Sequence, residues 1–183
     1  LAGSTGLRPG EQAALRWEDW EPEHNLLFVR RSGQYIRGQW VETVPKTSSG
    51  VRKLTLPPLA QEALGLQWER VSEGGTLMSR SQRDISSLIF PSSSCRPYSS
   101  WSINDGIKRF CRETGLPPLT AHQLRHYHAS LLIREGLPLT LVSRRLGHAT
   151  PEVTARIYAH WLGEDDALAA DAVTRALQKE PFE

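Results

Sequence analysis

The chain has 183 residues, 39% of them hydrophobic, with 22 Lys+Arg against 20 Asp+Glu; that length suits one domain able to bury a core without covalent staples. No apolar run reaches the roughly 18–20 residues that span a bilayer, and no basic segment followed by an apolar one opens the chain, which argues against a membrane-spanning or secretory protein. The two cysteines, Cys95 and Cys111, have no CxxC spacing and make no disulfide framework, so a reducing, cytoplasmic setting is expected.

The near-zero net charge hides an uneven distribution. Residues 1–75 balance, residues 76–160 carry +6 and residues 161–183 carry −4. A cationic middle with an anionic tail suggests a polyanion site and a tail kept out of it. Eighteen of the 22 basic residues are Arg, whose planar fork matches phosphate geometry; a GC-rich genome would produce the same bias.

The opening, Leu1 to Gly10, has no initiator Met and reads as the middle of a longer protein. Glu11 to Trp17 reads as a short helix ending near Trp20. The segment from Leu26 to Leu56 is β-rich: Leu26–Val29, the stretch around Gln34–Ile36, Trp40–Val44 and Val51–Leu56, punctuated by Gly33, Gly38 and Gly50. A small antiparallel sheet is predicted, with Thr43–Gly50 as the turn joining its last two strands. Pro57-Pro58 starts a helix to about Arg70, Gly74-Gly75 breaks the chain, and the Ser-rich run 92–100 is a loop. Further helices are predicted at about Ser99–Glu113, from a Thr120 cap to Arg134, from Pro138 to Gly147, from Thr150-Pro151 to Tyr158, and over the acidic, Ala-rich stretch Gly163–Gln178. The strands cluster rather than alternate with helices, so the fold class is α+β, mainly α-helical with a small three-stranded antiparallel β-sheet.

His122 and Arg125 lie three residues apart in the first turn of the Thr120-capped helix, where backbone N–H groups and the positive dipole end favour an anion. His126, one turn from His122, leaves a metal-binding pair open as an alternative, although no HExxH glutamate accompanies it. Gly147 terminates the next helix and fixes His148 on a corner, and Tyr158 follows ten residues later. The six tryptophans read as core or edge anchors. Arg144 and Arg145 read either as backbone-phosphate contacts or as a solvated face.

Together these residues resemble the tyrosine recombinases, the family of phage integrases and chromosome-dimer resolvases. Thr5-Gly-Leu-Arg-Pro-Gly-Glu11 is similar to the family's first arginine motif, Pro45-Lys-Thr47 to its lysine hairpin, and Ala121-His-Gln-Leu-Arg-His126 to its second arginine box. Leu146-Gly-His148 and Thr154-Ala-Arg-Ile-Tyr158-Ala-His160 resemble the remaining histidine and nucleophile boxes. The resemblance implies a catalytic set of Arg8, Lys46, His122, Arg125, His148 and Tyr158, with a catalytic domain over residues 1–160 and a tail helix over 161–183 that docks on a neighbouring protomer.

The implied reaction breaks and rejoins double-stranded DNA. Arg8 and Arg125 would clamp the phosphate, Tyr158 would attack phosphorus to leave a 3′-phosphotyrosyl link, and His122 would act as its base. Lys46 would protonate the leaving 5′-oxygen, with Lys53 the competitor for that role, and His148 would donate to a phosphate oxygen. Glu11 would brace Arg8. Neither nucleotide cofactor nor metal is implied, since the protein–DNA ester conserves the bond energy; the chain has no GxxxxGK[ST] loop. Family members also carry an amino-terminal DNA-clamping domain and a complete first helix before the first arginine motif, and the resemblance implies that this stretch is a fragment without either. A type IB topoisomerase-like strand passage and a catalytically inactive DNA-binding relic are the alternatives.

Overall fold

A computed structural model describes residues 1–44, 50–73, 88–92, 96–158, 170 and 173–175. The helices are α1 (Ala2–Thr5), α2 (Pro9–Ala13), α3 (Pro58–Glu73), α4 (Ser100–Glu113), α5 (Ala121–Arg134), α6 (Leu139–Leu146) and α7 (Pro151–Tyr158). The strands are β1 (Trp20–Glu21), β2 (Leu26–Val29), β3 (Ser32–Ile36), β4 (Gln39–Thr43) and β5 (Arg52–Thr55). This is the expected α+β order, mostly helical with a small antiparallel sheet.

The sheet is assembled differently from the sequence expectation. β1, β2 and β5 form a three-stranded sheet with β2 in the centre, whereas, among the described residues, β3 and β4 pair with each other. The flanks of the Thr43–Gly50 segment thus belong to different sheets, and residues 45–49 between them lie outside the described residues. Burial explains the partition. Leu27, Val29 and Leu54 are fully sequestered, so β2 and β5 must face the core, while β3 and β4 keep mostly polar or half-exposed side chains and close with Tyr35 edge-on to Trp40.

The helix expected over Glu11–Trp17 is shorter. It stops at Ala13, and Trp17–Asp19 forms a separate 3₁₀ turn. Asp19 is the reason: its buried carboxylate accepts from the Arg16 backbone N–H at 2.9 Å, from Arg30 at 3.1 Å and from Arg31 at 3.0 Å, which pins the turn to the end of β2. Of the tail helix expected over 163–178, residues 170 and 173–175 are described and helical, and the remainder lies outside the described residues.

Two apolar cores hold the elements together. The larger joins Leu7, Leu15, Leu27, Val29, Leu54, Leu56, Leu64 and Ile89, with Trp17 and Trp20 packed on its edge; the smaller joins Ala129, Val142 and Leu146. Trp17 also meets Trp68 edge-on at 4.9 Å, in keeping with an anchoring role, whereas Trp101 is largely exposed. Leu7 and Leu146 are buried in opposite cores, so the residues next to them, Arg8 and Gly147, fall on the seam. Among the described residues no helix is long and apolar enough to cross a membrane.

Candidate active site

The site is organised by the C-terminus of α6. An α-helix leaves its last four carbonyls without intrahelical donors. Here Gly147 adopts the left-handed conformation at φ 66°. Its N–H bonds Arg144 O and the His148 N–H bonds Ser143 O, both at 3.1 Å, the two bonds of a Schellman motif. The chain turns away, and three consecutive carbonyls are left facing inward. Arg145 O accepts from Arg52 Nε at 2.8 Å, Leu146 O accepts from Arg125 Nη2 at 2.7 Å and from Arg8 Nη1 at 3.4 Å, and Gly147 O accepts from Arg8 Nη2 at 3.0 Å. Three guanidiniums from three parts of the chain are racked on the negative end of one helix dipole.

Each arginine is delivered by a distinct local device. Arg8 precedes α2, whose Pro9 occupies the first helical position and whose Glu11 reaches back: Oε2 accepts from the Arg8 backbone N–H at 2.8 Å and Oε1 from Arg8 Nη1 at 2.9 Å. Arg125 comes from the first turn of α5, which Thr120 caps as expected: its Oγ1 accepts from the Gln123 N–H at 3.2 Å, and Gln123 Oε1 accepts from the Thr120 N–H at 2.9 Å. Arg125 Nη1 also donates to Gly6 O at 2.6 Å. Gly6 is left-handed at φ 67°, and a Cβ there would lie 2.7 Å from the His128 ring, so position 6 of the Thr5-Gly6-Leu7-Arg8 turn favours glycine.

Arg52 was not singled out by sequence reasoning, although the sequence carries a signal for it. In Arg52-Lys-Leu-Thr-Leu56 the alternation puts Arg52 on the same face as Leu54 and Leu56, so its guanidinium is carried inward and needs a carboxylate. It finds Glu11, with Nη1 to Oε1 and Nη2 to Oε2 both at 2.9 Å. The expected bracing of Arg8 by Glu11 is therefore present, and Arg52 completes it. Burial alone would raise the Glu11 pKa; the hydrogen bonds and charge of Arg52, with those of Arg8, overcome that and hold the carboxyl below its usual range.

His148 Nδ1 meets the hydroxyl of the buried Thr154 at 2.7 Å. Burial, followed by the charges of Arg125, Arg8 and Arg52, pushes its pKa down to about 4, so the ring is neutral at physiological pH. The His122 and His126 rings meet edge-on, Nε2 to Nε2, at 2.7 Å. A hydrogen bond between two imidazoles requires at least one neutral ring, and burial, His122 and Arg125 all lower the His126 pKa. Among the described residues no group of three or more His, Cys, Asp or Glu is placed to hold a metal ion.

Arg125 and Arg8 thus lie near enough to His148 for their charges to act on its ring, and His122 meets His126, whose ring feels the charge of Arg125. Tyr158 is the last residue of α7, a helix tied to α6 by the Ser143 hydroxyl donating to Thr150 O at 3.2 Å; its side chain, and all of Lys46, lie outside what is described. Arg145 corrects a sequence expectation. It turns inward, donating from Nε to His128 Nε2 at 3.1 Å and from both terminal nitrogens to Thr55 O at 3.3 Å, so it links α6 to α5 and β5 instead of facing phosphates. Arg144 remains exposed.

Comparisons with known proteins agree with this architecture. The model of the phage integrase family, the tyrosine recombinases, matches residues 1–164, and the chain belongs to that family. Among relatives, it is 32% identical over 162 residues to the ICEBs1 integrase of Bacillus subtilis, covering 87% of this chain and 43% of that protein. It is 40% identical over 160 residues to transposase A of transposon Tn554 from Staphylococcus aureus, covering 87% and 42%. The chain therefore spans less than half the length of these curated relatives. Its fold matches the Tn1549 transposon integrase in complex with transposon right-end DNA, at a TM-score of 0.78 and 21% identity over 95% of this chain and 56% of that one. It also matches XerA recombinase, at 0.67 and 22% over 100% and 56%.

Proposed function

We propose that this chain is the catalytic domain of a site-specific DNA recombinase, acting as an integrase that cleaves and rejoins double-stranded DNA through a covalent 3′-phosphotyrosyl intermediate. The observation that carries this reading is the convergence of Arg8 and Arg125 on one carbonyl, Leu146 O, beside the neutral His148. A phosphodiester anion repels a nucleophile, and phosphoryl transfer gains most from positioning and from charge stabilisation on the non-bridging oxygens. Two guanidiniums held rigid before DNA arrives supply both. The Arg8 side chain is still 41% exposed, leaving it an accessible outer edge.

In this reading the Tyr158 phenol, mostly protonated near neutral pH, gives its proton to His122, whose Nε2 meets that of His126. Its oxygen attacks phosphorus, and the bond from phosphorus to the 5′-oxygen breaks. Lys46 protonates that oxygen as it leaves, so that a free 5′-hydroxyl results; religation reverses each step. His148 donates a hydrogen bond to a phosphate oxygen. Residues 1–160 form the catalytic domain, and the −4 tail docks on another protomer in a DNA-bound assembly. The protein, of bacterial or phage origin, works in the bacterial cytoplasm on the nucleoid.

A nicked suicide substrate tests this, because cleavage releases a short fragment and traps the enzyme on DNA. The full-length protein should form a covalent adduct that disappears in Tyr158→Phe. DNA binding with no adduct would favour the inactive relic, and an adduct that survives the substitution would remove Tyr158 from its role.

A further inference from the structure

The most buried ion pair among the described residues joins Arg52 to Glu11, with side chains 5% and 3% exposed. Such a pair is weak grounds for stability, since desolvating two charges offsets most of their attraction. Its geometry has a different consequence. Glu11 accepts four hydrogen bonds: Oε1 from Arg8 Nη1 and Arg52 Nη1, Oε2 from the Arg8 backbone N–H and Arg52 Nη2. All its acceptor directions are filled and the carboxylate cannot turn. One carboxylate also faces two guanidiniums, so the trio keeps a net charge of +1. Without Arg52, Glu11 would be free to rotate fully onto Arg8 and cancel it. Arg52 also donates to Gly50 O at 3.3 Å and to Arg145 O at 2.8 Å, so the same group ties the start of β5 to the end of α6.

We infer that Arg52 is a positioning residue for strand cleavage: it locks Glu11 so that the Arg8 guanidinium faces the scissile phosphate in a fixed orientation with its charge uncancelled. This rests on the function proposed above. Arg52 touches no DNA in this scheme and acts through Arg8.

The test measures single-turnover cleavage of the nicked substrate at saturating DNA by the full-length protein carrying Arg52→Lys or Arg52→Met, the pair guarding against one variant that fails to fold. Lysine keeps the charge and loses the fork. Cleavage should slow roughly 10- to 100-fold, the cost of a misplaced catalytic group, with the dissociation constant for DNA within about 3-fold of wild type since no phosphate contact is removed. Two altered substrates identify the route. With a methylphosphonate at the scissile position, a methyl group replaces one non-bridging oxygen and the diester's own negative charge is gone, so less charge is left for Arg8 to stabilise and the gap between wild type and variant should close to within a few-fold. With a bridging 5′-thiolate, whose departure needs no proton, the gap should persist.

A gap in both variants that the methylphosphonate leaves untouched overturns the inference, as does a variant cleaving at the wild-type rate. A gap closed by the thiolate instead would assign Arg52 to the leaving-group side and equally overturn it. Absence of any adduct from the wild-type protein would sink the functional reading itself, a result distinct from all of these.

Discussion

The two arginines that converge on Leu146 O differ in kind. Arg125 is buried and spends one terminal nitrogen on Gly6 O and the other on Leu146 O, whereas Arg8 is half exposed and balanced on Glu11. Arg125→Ala removes a charge whose effect is greatest where negative charge develops, so cleavage should fall by roughly 10²–10³-fold or more. Affinity for DNA, spread over many phosphate contacts, should fall by about 10-fold or less. Covalent trapping and equilibrium binding measured on the same preparation check this, and equal losses in both would make Arg125 a docking residue only. The local contacts at this scale were legible in sequence: Thr120 capping α5, His122 and Arg125 together in its first turn, and Glu11 bracing Arg8. Arg145 was misread for the opposite reason. Its partners, His128 and Thr55, lie far away in the chain, and nothing adjacent to it records that it turns inward.

At the scale of elements, the Schellman motif closing α6 is what lines up the carbonyls. A Cβ on Gly147 would lie 2.6 Å from Arg52 Nη1, and the residue is left-handed, as is Gly115, which has open space around it. Gly147→Ala and Gly115→Ala therefore share a backbone penalty of about 1–2 kcal/mol, and only the first displaces Arg52. Chemical denaturation should show Gly147→Ala as the more destabilising of the two, and the trapping assay should show cleavage impaired by it alone; matching cleavage rates would mean that Arg52 yields without consequence. The limits of α4, α5 and α6 followed the sequence, since Ser99, Thr120 and Gly147 cap where their chemistry predicts, whereas α2 stopped short at Ala13. Strand partners did not. The alternation identifies β2, β3, β4 and β5 one by one, but which strand lies beside which is decided by the shared core of Leu27, Val29 and Leu54, a non-local matter. The inward face of Arg52 was readable from that alternation; its partner Glu11, on another element, was not.

For the molecule as a whole, neutral histidines tie stability to pH. His128 is buried, donates from Nδ1 to Gly3 O at 3.1 Å and accepts from Arg145 at Nε2, so α5, α1 and α6 meet on a ring that has no place for a second proton. Burial and then the charge of Arg145 lower its pKa from 6.5 to about 4. Between those values the unfolded chain binds the proton more readily than the folded one, so the His128 contribution is complete above about pH 6.5 and is lost as the pH falls toward 4. At about 1.4 kcal/mol per pKa unit the loss is on the order of 3 kcal/mol. Urea midpoints should drop between pH 7.5 and pH 5, and the drop should be smaller in His128→Gln; an identical drop would place the acid sensitivity elsewhere.

The sharing of Leu146 O by Arg8 and Arg125 makes one peptide group the common joint of both halves of the clamp. Fraying of the last turn of α6 loosens the two together, and stiffening it steadies the two together. Each arm also keeps a backbone acceptor of its own, Arg125 on Gly6 O and Arg8 on Gly147 O, so that single turn is a coupling point through which a disturbance of one arm reaches the other.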